Sequence, residues 1–525
     1  MKMNTKHLSK AASLLIAATL AGCAGDEKAP AGQQGQQPDT KGMTEFAMVE
    51  QDVNAVATRT SGEYTGAAVK FYWTSNDQLW INNTASASPL KASNHSTIPT
   101  PNGKEATAKF WFEDRYTAPD YPVRYTGNSN TAGDKVIIKS AQAQQAPNDG
   151  AHIGTDGDCG TATAHRQGDG SYLFTLDHKA SYLTFMPCYS SNLDPGYPGF
   201  ASSVKLTQIK VSADQPLAGT YSFDDTGLKL STATATSKSI TITLAGGGTN
   251  GFEIPVATKY GKNAAIMVVA PGSYTNFTVE YTLHDQVTNI TGTVKKNYGS
   301  VDCHVGRNKK IAPDLDVPNY SDTKWAMWDA HHTYWQKHES TQPRVNGETG
   351  TGFATAWGDP RWYSTSSAQA VNLCAQCPNI NEMMWYISNG DAHWDATKIW
   401  CVWGHLYQNG MWLLKRANIP IFNSEKWWDG KDWRVINHPN FYLDMSDRIK
   451  MTAIADADRD KYFYLPAFDN MDEGNWWPVG KYGTYWASTP TNGTDKYAYA
   501  LLFAEDTLVV RPRRRWEGDV FIAFE

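Results

Sequence analysis

"SVKLTQIKVS" occupies residues 203–212, and a run of the same kind, "SITITLAG", follows at 239–246. Both are rich in β-branched residues and neither carries a helical period, so both predict strands. Upstream lie "AVKFYW" (68–73), "QLWINN" (78–83) and "ATAKFWFE" (106–113), aromatic and β-branched, partly alternating, and bounded by Ser, Asn, Asp, Pro or Gly. "KVIIK" (135–139) and "SYLFTLDHKASYLTFMPCY" (171–189) continue the series, and "AAIMVVAPG" (264–272), "FTVEYTLHD" (277–285) and "NITGTVKKN" (289–297) extend it downstream. Many short strands at regular spacing predict β-sandwiches. "SNLDPGYPG" (191–199) reads as a boundary loop, which gives one sandwich over 45–195 and a second over 196–318.

The composition changes near residue 320. Of twenty tryptophans only Trp73, Trp80 and Trp111 precede residue 321, and seventeen follow it. Residues 319–525 therefore read as a different module. Within it, "NINEMMWYIS" places Ile380, Met383, Met384 and Ile387 on one helical face, with Asn379 and Glu382 as a capping box and Gly390 as the stop. That stripe reads as core.

Cys374, Cys377, Cys401 and His405 have the spacing of a zinc ligand set. In an oxidising compartment a disulfide between Cys401 and Cys374 or Cys377 is favoured, with Cys159–Cys188 as a candidate second bridge. "CVWGHLYQNGMWLL" (401–414) reads as a buried strand running into a turn. "DADRD" (456–460) opens like a calcium loop, but Lys461 stands where the loop needs glycine and Ala467 where it needs glutamate. A different calcium geometry using Asp472 and Glu473 has no motif behind it, and no cofactor or metal is expected.

The N-terminus sets the compartment. Lys2 and Lys6 precede an apolar stretch from Ala11 to Leu20, a secretory signal (1–22) too short to span a bilayer. Cys23 directly after Leu-Ala-Gly resembles the bacterial lipobox, which implies lipidation of Cys23 and membrane attachment through the N-terminal lipid. Asp26 and Glu27 look like the surface-export tag of Bacteroidetes lipoproteins. Residues 23–44, rich in Gly, Gln, Pro and Ala, read as a flexible tether. A net charge of −6 with mixed signs argues against a nucleic-acid partner.

Residues 45–315 resemble the fimbrillin family of Bacteroidales pili, through "FYWTSNDQLWINN", "ATAKFWF", "KVIIKSAQAQQAPNDGAHIG" and "FTLDHKASYLTF". The resemblance implies a lipoprotein of two transthyretin-like sandwiches that joins other fimbrial subunits by strand donation. "ATRTSGEY" (57–64) resembles the family's processed segment, with Arg59 as the candidate cleavage site. Residues 325–525 resemble the Fibrobacter-type paralogous domains, best from "YFYLPAF" (462–468) through "GTYWAST" (483–489) to "RPRRRWEGDVFIAF" (511–524). That resemblance implies a C-type lectin-like fold, although the family's terminal Arg-Cys is missing. The expected fold class is thus mostly β with an α+β C-terminal part.

Two stretches of this module carry candidate ligand residues. "DNMDEGNWWPVG" (469–480) sets Trp476 and Trp477 beside Asp472, Glu473 and Asn475, a mixture suited to a glycan. "RPRRRW" (511–516) offers Arg513, Arg515 and Trp516 for an anionic sugar or a partner carboxylate, or else serves as a charged edge strand. The favoured reading is a fimbrial tip adhesin at the cell surface or outer membrane, presenting its head to a glycan or protein ligand on a host or bacterial surface. A stand-alone surface glycan-binding lipoprotein is the alternative. A lectin-fold enzyme is third, since no nucleophile elbow, zinc-protease helix or phosphate loop is present, and no catalytic residue is assigned.

Overall fold

The computed structural model describes residues 39–49, 61–100, 103–128, 131–191, 196–436, 441–476 and 478–525. The signal segment, Cys23, most of the tether, Arg59 and Trp477 lie outside them. The fold is mostly β, with one long helix in the C-terminal part.

A nine-stranded sheet opens the fold. Thr44–Met48 enters at its middle, antiparallel to Lys109–Phe112 and parallel to Tyr172–Phe174. Its inward positions are aromatic: Phe46, Phe110, Phe112, Tyr121, Tyr125 and Tyr172 form one core with Trp73 of the separate strand Val69–Thr74, and Phe46 stacks on Tyr172 at 4.6 Å.

The second core is built differently. A six-stranded sheet runs Ala141–Gln144, Ser239–Leu244, Val204–Ser212, Gly272–Asp285 and Ile290–Cys303, with Phe252–Glu253 beside Val204–Ser212. Its core is shared with a three-stranded sheet of Ala265–Val269, Ser181–Phe185 and Asn308–Ile311. All five residues of Ser181–Phe185 are buried, as expected of a strand covered on both faces. In Val204–Ser212 the register shifts between Leu206 and Gln208, a bulge that moves the inward positions from Val204 and Leu206 to Ile209 and Val211.

The expected division near residue 195 is corrected here. Lys135–Ile138 pairs with Ala218–Asp224, Ala141–Gln144 with Ser239–Leu244, and Ser181–Phe185 with Ala265–Val269. All three segments belong to the second core although chain order placed them in the first sandwich. Two buried glutamines explain part of the attachment. Gln142 donates to the Val268 carbonyl at 2.7 Å and accepts from Val268 N at 2.9 Å. Gln144 does the same to Ala264 O at 2.8 Å and Ile266 N at 2.7 Å. Their side-chain amides thus replace a missing backbone ladder, satisfying groups that would otherwise be buried unpaired.

The C-terminal part has its own core and its own sheets. A six-stranded sheet runs Trp325–Ala326, Asp519–Val520, Gly483–Pro490, Tyr497–Ala504, Thr507–Arg514 and Leu443–Asp444. A three-stranded one holds His393–Val402, His405–Leu414 and Tyr462–Pro466. The helix Ile380–Asn389 has the expected capping box: Asn379 accepts from Glu382 N at 3.2 Å and Glu382 accepts from Asn379 N at 2.8 Å. Burial extends beyond the expected stripe to Trp385 and Tyr386, because residues 419–433 wrap the outer face; Trp385 Nε1 donates to Lys426 O at 3.0 Å.

The expected strand running into a turn at 401–414 is instead the end of one strand, a turn and the second strand of a hairpin, His393–Val402 with His405–Leu414. Trp403 at φ 48° and Gly404 at φ 84° make its two-residue turn, between paired Val402 and His405. Tryptophan is unusual there, and two bonds hold it: Ser321 Oγ accepts from Trp403 N at 2.7 Å, and Ser321 O accepts from its indole at 3.2 Å. This turn docks on the second sandwich. Ala201 N donates to Gly404 O at 2.8 Å, and a Cβ on Gly404 would come within 2.9 Å of Ala201 N. The fully buried Asp285 contacts His405 Nδ1 and accepts from Leu406 N, both at 3.0 Å, and accepts from Ser203 Oγ at 2.7 Å. Burial works against its charge, but these donors prevail and hold its carboxyl at about 2.

The expected disulfides are also corrected. Cys159, Cys188, Cys374, Cys377 and Cys401 are all free. Cys401 packs into the second-sandwich core beside Tyr189, whereas Cys374 and Cys377 sit with Trp328 and Trp486 in a separate cluster. Cys159 is buried near Lys179, and Cys188 is bridged to Asp314. His405 is committed to Asp285, so the Cys-Cys-Cys-His set does not converge. In "DADRD" the carboxylates of Asp456 and Asp458 are paired with Arg459 and Lys461 at 3.1 and 2.7 Å.

Candidate ligand groove

The stretch 350–366, "GTGFATAWGDPRWYSTS", has no core period, and it carries two tryptophans, a phenylalanine and a tyrosine among glycines and small polar residues. It folds as a loop over the end of the six-stranded sheet, and two buried arginines fix its course. Arg361 grips Asp359 through Nε at 3.0 Å and Nη2 at 2.7 Å, and donates to Gly352 O at 2.7 Å. Arg515 donates to Ser364 O at 2.7 Å, Ser366 O at 2.8 Å and Tyr497 O at 2.8 Å, and its guanidinium lies 4.1 Å over the Trp328 ring. Burial lowers Arg515 to about 10, and it carries its charge at neutral pH.

Two hollows open along this loop and share Trp362. The larger, about 430 Å³, is lined by Asp329, His331, Trp357, Asp359, Trp362 and Tyr363 among others. The smaller, about 150 Å³, is enclosed by Met327, Tyr334, Phe353, Trp362, Trp516, Asp472 and Glu473 with the chain at 354–355. Trp357 is 84 % exposed, far beyond what any packing role requires. Trp362 and Tyr363 lie 5.1 Å apart, and Tyr363 continues to Trp516 at 6.2 Å, so the rings form a bank along the groove.

The expected ligand residues separate into two groups. Asp472, Glu473 and Trp516 do meet, at the smaller hollow. Asn475 stands behind them, accepting from Thr349 Oγ1 at 2.5 Å and donating to Asp472 O at 3.2 Å, which fixes the turn. Trp476 is corrected to a core residue: it is wholly buried among Trp325, Trp403 and Tyr407, and its indole donates to Phe468 O at 3.1 Å. Arg515 is corrected to a loop anchor. Arg513 is half-buried and engaged, paired with Glu517 at 2.7 Å and Asp519 at 3.1 Å. Burial raises both Glu517 and Asp469 to about 7, against the pull of Arg513. Sequence reading missed Trp357, Trp362, Tyr363, Tyr334 and Phe353; aromatic residues in a Gly/Ser/Thr-rich stretch with no core period were the available signal.

No protein-family model matches the chain, and no curated protein does. Among solved structures, a proposed cell adhesion protein from Bacteroides ovatus ATCC 8483 overlaps 51 % of this chain and 91 % of its own, at 10 % identity and a TM-score of 0.31. A second, from Bacteroides uniformis ATCC 8492, overlaps 53 % and 94 % at 14 % identity and a TM-score of 0.29. A fimbrial protein from Bacteroides ovatus ATCC 8483 overlaps 91 % and 98 % at 10 % identity and a TM-score of 0.25. At these scores the overlaps do not define a shared fold, and the functional reading rests on the residues of the groove.

Proposed function

We propose that this chain is a cell-surface adhesin of the fimbrial type, whose C-terminal head engages a glycan on a host or bacterial surface. The observation that carries the reading is the exposed Trp357 with the half-buried Trp362 and Tyr363, held on a loop that Arg361 and Arg515 pin to the core, beside Trp516 and carboxylates. Indole faces stack on the C–H faces of sugars, and carboxylates accept from sugar hydroxyls; a pinned loop loses little entropy on binding. The two-core β region serves as stem, anchored during export through a lipid on Cys23 and joined to other fimbrial subunits by strand donation, with a trimming step at Arg59. A stalk subunit has no use for such a head, which favours the tip.

A glycan array probed with the secreted full chain tests this. The expected result is a signal that Trp357→Ala abolishes while the melting temperature stays unchanged. A blank array together with no binding to intact cells would overturn the binding role. Absence of the chain from purified fimbriae would remove the fimbrial part and leave a stand-alone surface binder.

A further inference from the structure

The smaller hollow differs from the rest of the groove in charge and in size. Four rings wall it: Tyr334 and Phe353, stacked with centroids 6.3 Å apart and 15° between planes, with Trp362 and Trp516. Its floor carries two consecutive carboxylates, Asp472 and Glu473, and Asp472 is half-buried. Among the described residues neither is in an ion pair; the nearby Arg513 is taken by Glu517 and Asp519, and Arg514 reaches Glu517. Burial first, and then Glu473, raise the Asp472 carboxyl above the usual range, against the weaker pull of Arg513 and Arg514.

The backbone commits itself to this arrangement. Met471–Asp472 and Asn475–Trp476 form a hairpin whose turn residues are Glu473 at φ 46° and Gly474 at φ 82°. Turns of this kind favour Asn, Asp or Gly at the first position, so glutamate sits there against local preference. A Cβ on Gly474 would meet the Phe353 ring at 2.8 Å and Gly350 O at 2.5 Å, which shows how closely the acidic turn is seated on the ring wall.

Resting on the groove reading above, we propose that this hollow is a cage for an alkylammonium group, a protonated primary amine or a quaternary ammonium at the end of the ligand. Electron-rich ring faces attract a cation, and the half-buried Asp472 with Glu473 beside it gains more from a positive charge than from a neutral hydroxyl. At about 150 Å³ the hollow falls short of the roughly 300–1,000 Å³ of whole-ligand pockets, so it takes a terminal group while the rest of the ligand lies along Trp362 and Trp357.

The test titrates the full chain with choline and with its neutral isostere 3,3-dimethylbutan-1-ol, and with n-butylammonium against n-butanol, by calorimetry. The cations should bind roughly tenfold or more tightly than their neutral partners. Glu473→Gln and Trp516→Ala should each remove that preference, and Trp428→Ala, at an exposed indole that lines neither hollow, should leave it intact. Glu473→Gln is at an exposed position and keeps the test valid if Trp516→Ala unfolds. Equal binding of neutral isosteres, or no saturable cation binding, would overturn the cage; if array binding persists in that case, the groove reading survives without it. Conjugates of free glucosamine, N-acetylglucosamine, lysine and phosphocholine then separate the sources of the group, and N-acetylation should abolish the amino-sugar arm.

Discussion

In the second sandwich Ile209, Val211, Ile240, Ile242, Val279 and Leu283 line paired sheets, and the backbone satisfies itself through its ladders. In the head much of the chain is loop, and the tryptophans tie loop to sheet. Trp328 Nε1 donates from a turn to Ala487 O of the sheet at 2.9 Å, Trp476 Nε1 from a short strand to Phe468 O in a loop at 3.1 Å, and Trp385 Nε1 from the helix to Lys426 O at 3.0 Å. An indole fills volume and also answers a buried carbonyl, so a tryptophan-rich core can hold irregular chain that an aliphatic core would leave unsatisfied. The difference teaches that the head's composition reflects how little of its backbone is laddered.

Substitutions can break this comparison. Trp476→Ala removes both packing and the bond to Phe468 O and should cost the head about 3–5 kcal/mol; Ile242→Val in the sandwich should cost about 0.5–1.5 kcal/mol. Chemical unfolding followed by tryptophan fluorescence measures both, and equal costs would deny the indoles a double role. Trp476→Phe, which keeps most of the volume, separates the two contributions.

Asp285→Asn addresses the seam between the regions. Loss of charge-assisted bonds to Leu406 N, Ser203 and His405 should cost about 1.5–3 kcal/mol and split a single calorimetric transition into two. The same carboxylate gives a pH signature. Its folded value near 2 lies below the ordinary 3.8, so its stabilisation is complete above about pH 5 and is lost as the pH falls toward 2. The head responds in the opposite sense at higher pH. Asp469 and Glu517, held near 7 by burial, favour the protonated form in the folded state, so lowering the pH from 8 to 5 should raise the head's melting temperature. Asp469→Asn should flatten that rise.

The smallest effect on stability is the sharpest for function. Trp357→Ala should change unfolding by less than about 0.5 kcal/mol, as at any exposed site, while ligand binding falls. A large loss of stability would show that Trp357 packs after all.

Trp357 and Trp476 also mark where the sequence was legible. The strands could be read from β-branched runs, and the helix Ile380–Asn389 from its apolar period and its Asn379–Glu382 box, because both signals are local. The fate of a tryptophan is not local: Trp476 sits in the acidic turn that looks like a binding loop and is buried, whereas Trp357 is exposed in a stretch with no pattern. Asp472, Glu473 and Trp516 could be singled out from their chemistry as candidates, but the residues that line the same hollow, Tyr334, Phe353 and Trp362, come from chain more than a hundred residues away from the acidic turn, and only the fold assembles them. The cysteine spacing misled for the same reason, since spacing cannot tell that Cys401 faces the sandwich while Cys374 and Cys377 face Trp486.

The second core takes Tyr64, Val69 and Phe71 from near the start of the described chain and Ile311 from the end of the stem, and it borrows strands on either side of segments that belong to the first. Such interleaving makes the stem a late-closing structure. A polypeptide emerging N-terminus first must hold Ser181–Phe185 without its parallel partner until Asn308–Ile311 arrives, a long wait at high sequence separation. The newly made chain is therefore at its most vulnerable to proteases and to sticking to its neighbours before that last short strand is delivered, and slow folding would be the signature of any lesion there.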